Sequence, residues 1–183
     1  MTKYIYYTDG AATMIKKNGQ YLREAGGWAF LTLKDNEIIS KQSGGCPLTT
    51  NNEMELYAIY ASLRDFIDNY SSNDSIEICS DSGYCIDIFT KWAKNWKKKG
   101  WRKSDRKPIK NLELIKATCK LMSQIPTENV TFTKVKGHSK NELNNRVDKL
   151  AVDAKKIAKK TQKTLGYNQK PDSLLGNKKI KKD

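Results

Sequence analysis

Apolar and polar residues alternate along this chain at two different periods, and the changes of period mark its elements. Tyr4-Ile5-Tyr6-Tyr7-Thr8-Asp9 is an aromatic and β-branched run that predicts a strand over 3–9, ending in Asp9. Gly10 then leaves the backbone bare, so that a ligand or another chain can come close. Residues 12–26 are polar and basic and carry the turn signal Asn18-Gly19, which predicts a loop. Trp28-Ala29-Phe30-Leu31-Thr32-Leu33 predicts a second strand, Lys34 to Glu37 a turn, and Ile38 to Lys41 the start of a third, so the chain opens as three antiparallel strands. Gly44-Gly45-Cys46-Pro47 breaks the pattern.

The period then lengthens. Thr50-Asn51-Asn52-Glu53 is a capping box, in which the Thr hydroxyl and the Glu carboxylate each satisfy an orphan helix N–H. Met54, Ala58, Ile59, Leu63 and Phe66 follow at helical spacing, with Glu55 in the first turn. Ser75 to Asp81 is another strand that ends in an aspartate. A strand reached through a helix implies a right-handed parallel crossover. Parallel strands put their C-terminal ends on one edge of the sheet, so Asp9 and Asp81 are expected side by side. Residues 84–98 and 111–123 are helical in pattern, and Val130 to Lys136 alternates with period two. Gly137 to Asn141 is a loop that carries the single histidine, His138, and Asn144 to about Lys160 is the last helix, with Asp148 in its first turns.

Each acid has an ordinary explanation when taken singly. Aspartate is common where strands turn, and a carboxylate in a first helical turn is favoured by the helix dipole. Charge alters the balance. The 183 residues hold 34 Lys and Arg against 20 Asp and Glu, a net charge of +14, which suggests a polyanionic partner. From Lys91 to Lys110 there are ten basic residues and one acid, with Trp92, Trp96 and Trp101 among them. A solvated helix face accounts for the lysines but not for three tryptophans beside them. Basic side chains neutralise phosphates and indole faces stack on bases and sugars. Cys46, Cys79, Cys85 and Cys119 have no metal-ligand spacing and are expected as free thiols in a reducing compartment. No apolar run approaches the ~20 residues of a membrane span, and the start, Met-Thr-Lys before an aromatic strand, lacks an apolar leader. A soluble cytoplasmic chain with no membrane partner, monomeric, is the expectation. From Ala154 to Asp183 there are ten lysines and two acids with little periodicity after Leu165, so residues 1–160 are expected as one domain and 161–183 as a disordered basic tail.

Four acids meeting in so basic a protein would repel one another unless cations lay between them. Oxygen-only ligation selects a hard ion, Mg2+ or Mn2+. Two such ions about 4 Å apart suit in-line displacement at a phosphodiester.

The matching pieces run in order from about residue 4 to 160: Tyr7-Thr8-Asp9-Gly10, Gly26-Gly27-Trp28-Ala29, Thr49-Thr50-Asn51-Asn52-Glu53-Met54-Glu55-Leu56, Ser80-Asp81-Ser82-Gly83-Tyr84, Trp92 to Asn111, Val135-Lys136-Gly137-His138 and Arg146-Val147-Asp148-Lys149-Leu150-Ala151. With these the chain resembles type 1 ribonucleases H. The resemblance implies an α/β fold of the ribonuclease H-like kind, with a five-stranded mixed sheet of order 3-2-1-4-5 flanked by helices. It implies an endonuclease, dependent on two Mg2+ ions, that cleaves the RNA strand of an RNA–DNA hybrid to 5′-phosphate and 3′-hydroxyl ends, as in removal of RNA primers and R-loops. By position, Asp9, Glu55, Asp81 and Asp148 match the metal ligands and His138 the loop histidine of proton transfer and product release. Asn51 and Asn52 match residues that read the hybrid near its 2′-hydroxyls, the groups that tell RNA from DNA. Thr50 and Asn111 match residues that hold a DNA-strand phosphate, and Trp92, Trp96, Lys97, Lys98 and Lys99 match a basic protrusion that grips the DNA strand. Gly10, Tyr84 and Trp101 complete the expected substrate contacts.

There are departures. Glu53 stands where many relatives carry Arg, which puts an acid near the substrate; Gly83 stands where some carry Gln, Leu48 where some carry a phosphate-binding Arg, and Asn145 where some carry an acid. Strand one begins at once, so no separate N-terminal hybrid-binding module is expected, and the basic tail would partly replace it. Two other readings share the fold. A non-catalytic binding module would use the basic helix without turnover, and the intact carboxylate set argues against it. A DNA-cutting, transposase-like or integrase-like protein would change the target, and Asn51-Asn52 with the tryptophan-lysine protrusion favours the hybrid.

Overall fold

The computed structural model describes residues 1–164. Its sheet has five strands, β1 (Lys3–Lys17), β2 (Gln20–Lys34), β3 (Glu37–Thr49), β4 (Ser75–Ser80) and β5 (Val130–Lys134), in the spatial order β3-β2-β1-β4-β5. β1 and β2 pair antiparallel, as do β2 and β3, while β4 runs parallel to both β1 and β5. The helices are α1 (Asn51–Asn69), α2 (Gly83–Asp87), α3 (Ala93–Lys98), α4 (Leu112–Met122) and α5 (Glu142–Thr164). This is the expected mixed sheet with the expected strand order. Among the described residues no helix is long and apolar enough to cross a membrane.

Alternation along β1 divides the molecule into two layers. Tyr4 and Tyr6 point to one face, where they join Phe30, Leu56, Ile59, Leu63, Phe66 and Ile115 in the main core under α1 and α4. Ile5 and Tyr7 point to the other, where α5 lays Val147 and Ala151 on Ala29, Leu31 and Leu33. The Tyr6 hydroxyl donates to Asp65 Oδ2 at 2.7 Å, which satisfies the one polar atom this ring brings into the core and ties α1 to the central strand.

Three expectations change. Residues 12–26 are not a loop: β1 and β2 continue as a long hairpin whose tip is Asn18-Gly19, both at positive φ (49° and 77°). The turn signal is sound, and the polar composition reflects the mostly exposed outer part of the arm, residues 13–22, while Arg23, Glu24 and Ala25 are buried nearer the sheet. Second, Gly44-Gly45-Cys46-Pro47 does not break β3, which runs through to Thr49. A Cβ on Gly44 would lie 2.8 Å from the Trp28 ring and one on Gly45 2.6 Å from Ala158 Cβ, so these glycines admit neighbours instead of ending the strand. Third, Asp9 is not at the end of its strand, because β1 continues to Lys17. The parallel pairing does end there: Thr8 opposite Ser80 is the last β1–β4 pair, so Asp9 and Asp81 both lie just past it, as the crossover argument requires.

The helix expected over 84–98 is not one regular helix, and the basic stretch beyond Lys98 is irregular until α4 begins at Leu112. A π-turn over Ile88–Trp92 joins α2 to α3 and shifts the helical phase of α3 relative to α2. The last helix reaches Thr164, four residues beyond the expected boundary, and the rest of the basic tail lies outside the described residues.

α5 sits close on β2. A Cβ on Gly27 would collide with the Ala151 carbonyl and the Lys155 amide, both main-chain atoms that have no rotamer by which to yield. Gly27→Ala is therefore expected to destabilise the protein by about 2–4 kcal/mol, read as a lower urea midpoint, with α5 lifted from the sheet. An unchanged midpoint would show that the helix is free to slide.

Candidate active site

Four segments converge where the parallel strands stop. β1 supplies Asp9, the first turns of α1 supply Glu55, the residue after β4 is Asp81, and α5 supplies Asp148. They line one open pocket of about 410 Å3, together with Gly10, Asn51 and His138. Asp9 is 4% exposed and Glu55 5%, and one carboxylate oxygen from each of Asp9, Glu55 and Asp81 lies within 4.8 Å of the others. Asp148 is half-buried on the same wall and acts on Asp9 electrostatically, outside that tight group of three.

Local structure explains the convergence. Thr50 caps α1, its Oγ1 accepting from the Glu53 amide at 3.1 Å, and this fixes the first turn from which Glu55 projects. Gly10 has a reason the sequence did not show. A Cβ there would run into the Glu55 amide and the Met54 carbonyl carbon, so the chain that comes close to its bare backbone is α1 itself. Glu53, expected as an acid facing substrate, is neutralised: Arg23 Nη1 donates to its Oε2 at 2.7 Å. Leu48 is a buried core residue, and a Cβ on Gly83 would meet only the Lys134 ammonium end, at 3.1 Å.

The carboxylates are crowded enough to contest their protons. Burial pushes the Asp9 carboxyl up to about 7, with the charges of Asp81 and Asp148 adding to it and the hydrogen bonds from Glu55 and the Gly10 amide (2.8 Å) opposing it. Burial, then Asp9 beside it, raises Glu55 well above the usual carboxylate range. Glu55 Oε2 has no hydrogen-bond partner among the described residues, nor has Asn144 Oδ1, whose Nδ2 donates to Asp81 Oδ2 at 3.5 Å. A buried acceptor left open in an all-oxygen cluster fits a hard divalent cation, which would take up the orphan lone pairs and remove the repulsion together.

His138 stands at the pocket mouth, exposed and at φ 47°. Its loop is held at both ends. Gly137 lies so near Asp81 that a Cβ would be 2.8 Å from Oδ2, and Asn145 Nδ2 donates to the Ser139 carbonyl at 2.9 Å. The side chain that departs from the acidic pattern thus fastens the histidine loop to α5.

The expected substrate contacts fall in two groups. Asn51 lines the pocket, its Oδ1 accepting from the Ala12 amide at 3.2 Å, and Asn52 is exposed beside it. Tyr84, Trp92, Trp96, Trp101, Lys97, Lys98, Lys99 and Asn111 lie away from the pocket on the α2–α3 protrusion and the segment after it. Trp92 is exposed and packs on Trp96 at 5.8 Å, while Lys97 to Lys99 are all exposed. Tyr84, Trp96 and Trp101 pack against the main core, so core packing explains part of the tryptophan cluster. Asn111, left-handed at φ 58°, hydrogen-bonds with the Tyr84 side chain.

Two pocket-side residues escaped the sequence reading, Asn144 and Lys155. Both were available in principle, because they lie four residues before and seven after Asp148, on one helical face.

The fold is that of the ribonuclease H-like class, and comparison with known proteins agrees. The family model described as RNase H matches residues 1–156. Ribonuclease H of Prosthecochloris aestuarii is 41% identical over 153 residues, covering 83% of this chain and 94% of the relative. Ribonuclease H of Clostridium botulinum is 41% identical over 155 residues, covering 84% and 96%. Among solved structures, LC9-RNase H1, described as a type 1 RNase H with the type 2 active-site motif, superposes with a TM-score of 0.71 at 23% identity, covering 86% of this chain and 74% of that one. LC11-RNase H1, solved in complex with an RNA/DNA hybrid, gives 0.61 at 21% identity, covering 85% and 98%. The chain belongs to the ribonuclease H family and is a nuclease of the hydrolase class.

The carboxylate crowding has a measurable sign. With no cation among the acids, Asp9 binds its proton more tightly folded (about 7) than unfolded (3.8). Its contribution to stability is therefore full below pH 3.8 and is lost as pH rises through about 7. In chelator, Asp9→Asn should match the unaltered protein near pH 4 and exceed it by on the order of 1–3 kcal/mol at pH 8, with Mg2+ closing the gap. Parallel urea midpoints at the two pH values measure this, and equal midpoints at pH 8 would contradict it.

Proposed function

We propose that this protein is an endoribonuclease that hydrolyses the RNA strand of RNA–DNA hybrids, with Asp9, Glu55, Asp81 and Asp148 holding two Mg2+ ions. The observation that carries the reading is the three-carboxylate cluster, with Asp9 and Glu55 buried and an open acceptor at Glu55, set in a protein of net charge +14. A family member solved with an RNA/DNA hybrid supports the choice of substrate. Divalent ions bound there would supply a polarised phosphate and a water of lowered pKa.

The chain's own residues perform the remaining work. Asp9 and Glu55, on the central strand and the helix locked to it at Gly10, define the floor against which the scissile phosphate is placed. Asn51 sits on the pocket wall with Asn52 beside it, in position for the 2′-hydroxyl side of the RNA strand. Water's oxygen bonds to phosphorus as the P–O3′ bond breaks, which leaves a 5′-phosphate and a 3′-hydroxyl. His138, exposed at the mouth, moves a proton at the phosphate and assists departure of the product. Trp92, Trp96 and Lys97 to Lys99 grip the DNA strand at the protrusion, Thr50 at the start of α1 and Asn111 hold one of its phosphates, and Tyr84 and Trp101 complete the substrate contacts. Such an enzyme, acting as a soluble monomer in the cytoplasm, would serve in removal of RNA primers and R-loops.

Labelled hybrid, RNA duplex and DNA duplex incubated in Mg2+ test the reading: only the RNA of the hybrid should be cut. Asp81→Asn should bind hybrid and lose more than about a hundredfold in cleavage. Cleavage of the DNA duplex, or full activity in the Asp81 variant, would overturn the assignment. A triple replacement of Lys97, Lys98 and Lys99 by Gln should lower the slope of log affinity against log salt by about 2–3, measured by hybrid titration at several salt concentrations.

A further inference from the structure

The expected nucleic-acid contacts, from Asn51 to the protrusion, belong to elements on the α1 side of the sheet. The pocket has another wall. α5 packs on the opposite face, through Val147 and Ala151, and from there it brings Lys155 to the same pocket as Asp9, Glu55 and Asp81. Lys155 and His138 are the two basic side chains on its lining.

Lys155 is placed by packing. Its amide lies against Gly27, where no Cβ would fit, so its main chain is fixed relative to β2. The side chain is half-buried and Nζ donates to Thr13 Oγ1 on β1 at 3.4 Å. Two other lysines of this helix are matched to acids, Lys149 to Asp153 at 3.2 Å and Lys159 to Glu24 at 3.6 Å. Lys155 instead has a hydroxyl as the partner of its ammonium. A cation at the rim of an acidic pocket, steered by a neutral partner and not neutralised by a carboxylate, is arranged to meet an anion from outside.

The anion follows from position. Asp148 and Lys155 are seven residues apart, nearly two full turns, so they share one face of α5 at about 10 Å of axial separation. A nucleic-acid strand presents one phosphate per about 3.4 Å of helix axis. A strand whose scissile phosphate sits at the carboxylates therefore carries its next few phosphates past Lys155. We propose that Lys155, steered by Thr13, binds a phosphate of the cleaved RNA strand within about three nucleotides of the scissile one, and so grips that strand from the face of the sheet opposite the protrusion. This rests on the reading of the pocket as the hydrolytic site.

The test uses the full chain and hybrids that carry one uncharged methylphosphonate at a single defined position. Lys155→Gln should raise KM about five- to tenfold and lower the salt slope of hybrid binding by about 0.7–0.9. Lys155→Arg, which keeps the charge, should restore most of both. A methylphosphonate at one RNA-strand position within three of the cut should weaken binding by the unaltered protein but add no further loss in Lys155→Gln. The same substitution in the DNA strand should give additive losses. Equal KM and salt slope for Lys155→Gln and the unaltered protein would overturn the inference, as would additivity at every RNA position or non-additivity in the DNA strand. Failure of the unaltered protein to cut any hybrid would instead refute the functional reading, so the two failures are distinguishable.

Discussion

Burial of like charges at one edge of the sheet is the constraint on which this structure depends. Asp9 and Glu55 are almost wholly removed from water, and Asp81 is close enough to join them. Two ionised carboxylates at that distance in a low-dielectric site are unfavourable, and both respond by holding protons more tightly. The fold maintains the arrangement because each acid projects from an element anchored elsewhere: Tyr6 fixes β1 to α1 through Asp65, and Thr50 caps the helix from which Glu55 projects. Stability is spent at the pocket, and the result is an all-oxygen cluster that could hold a divalent cation without rearrangement.

The same constraint explains the glycines near the site. α1 can present Glu55 beside Asp9 only if its backbone touches β1, and Gly10 is where it touches. α5 can present Asp148 from the other face only if it lies directly on β2, and Gly27 permits that. In each case a missing Cβ sets a helix depth, and the helix depth sets where a carboxylate lies.

Much of this was legible in the sequence, and the rest was hidden for identifiable reasons. The order β3-β2-β1-β4-β5 was implied by the family resemblance, while the changes of hydrophobic period and one crossover rule put Asp9 beside Asp81. The hairpin arm over 12–26 did not, because its outer part is a two-stranded ribbon exposed to solvent and need not alternate apolar and polar residues. β3 was cut short in the sequence reading because Gly44-Gly45 signals a break unless the Trp28 ring and Ala158 that occupy the space are known. Trp96 and Trp101 show what a contiguous stretch of sequence does not record: both are partly buried against the core, and Trp92 is the more exposed of the three.

Asn144 and Lys155 show where motif reading stops and helix geometry takes over. Neither falls in a contiguous motif, yet Asn144, Asp148 and Lys155 lie at spacings of four and seven residues, one stripe of α5. The stripe changes character along its length, from the amide that meets Asp81, through the carboxylate on the pocket wall, to the ammonium at the rim. On the proposed reading, a strand crossing the pocket would meet acid where its phosphate is attacked and base where its backbone is only held. One helix face can encode both because it passes the carboxylate cluster at one end and leaves it by two turns at the other. The polarity of the site is thus set by how far α5 extends past Asp148 along β2, a property of the packing that no single residue type records.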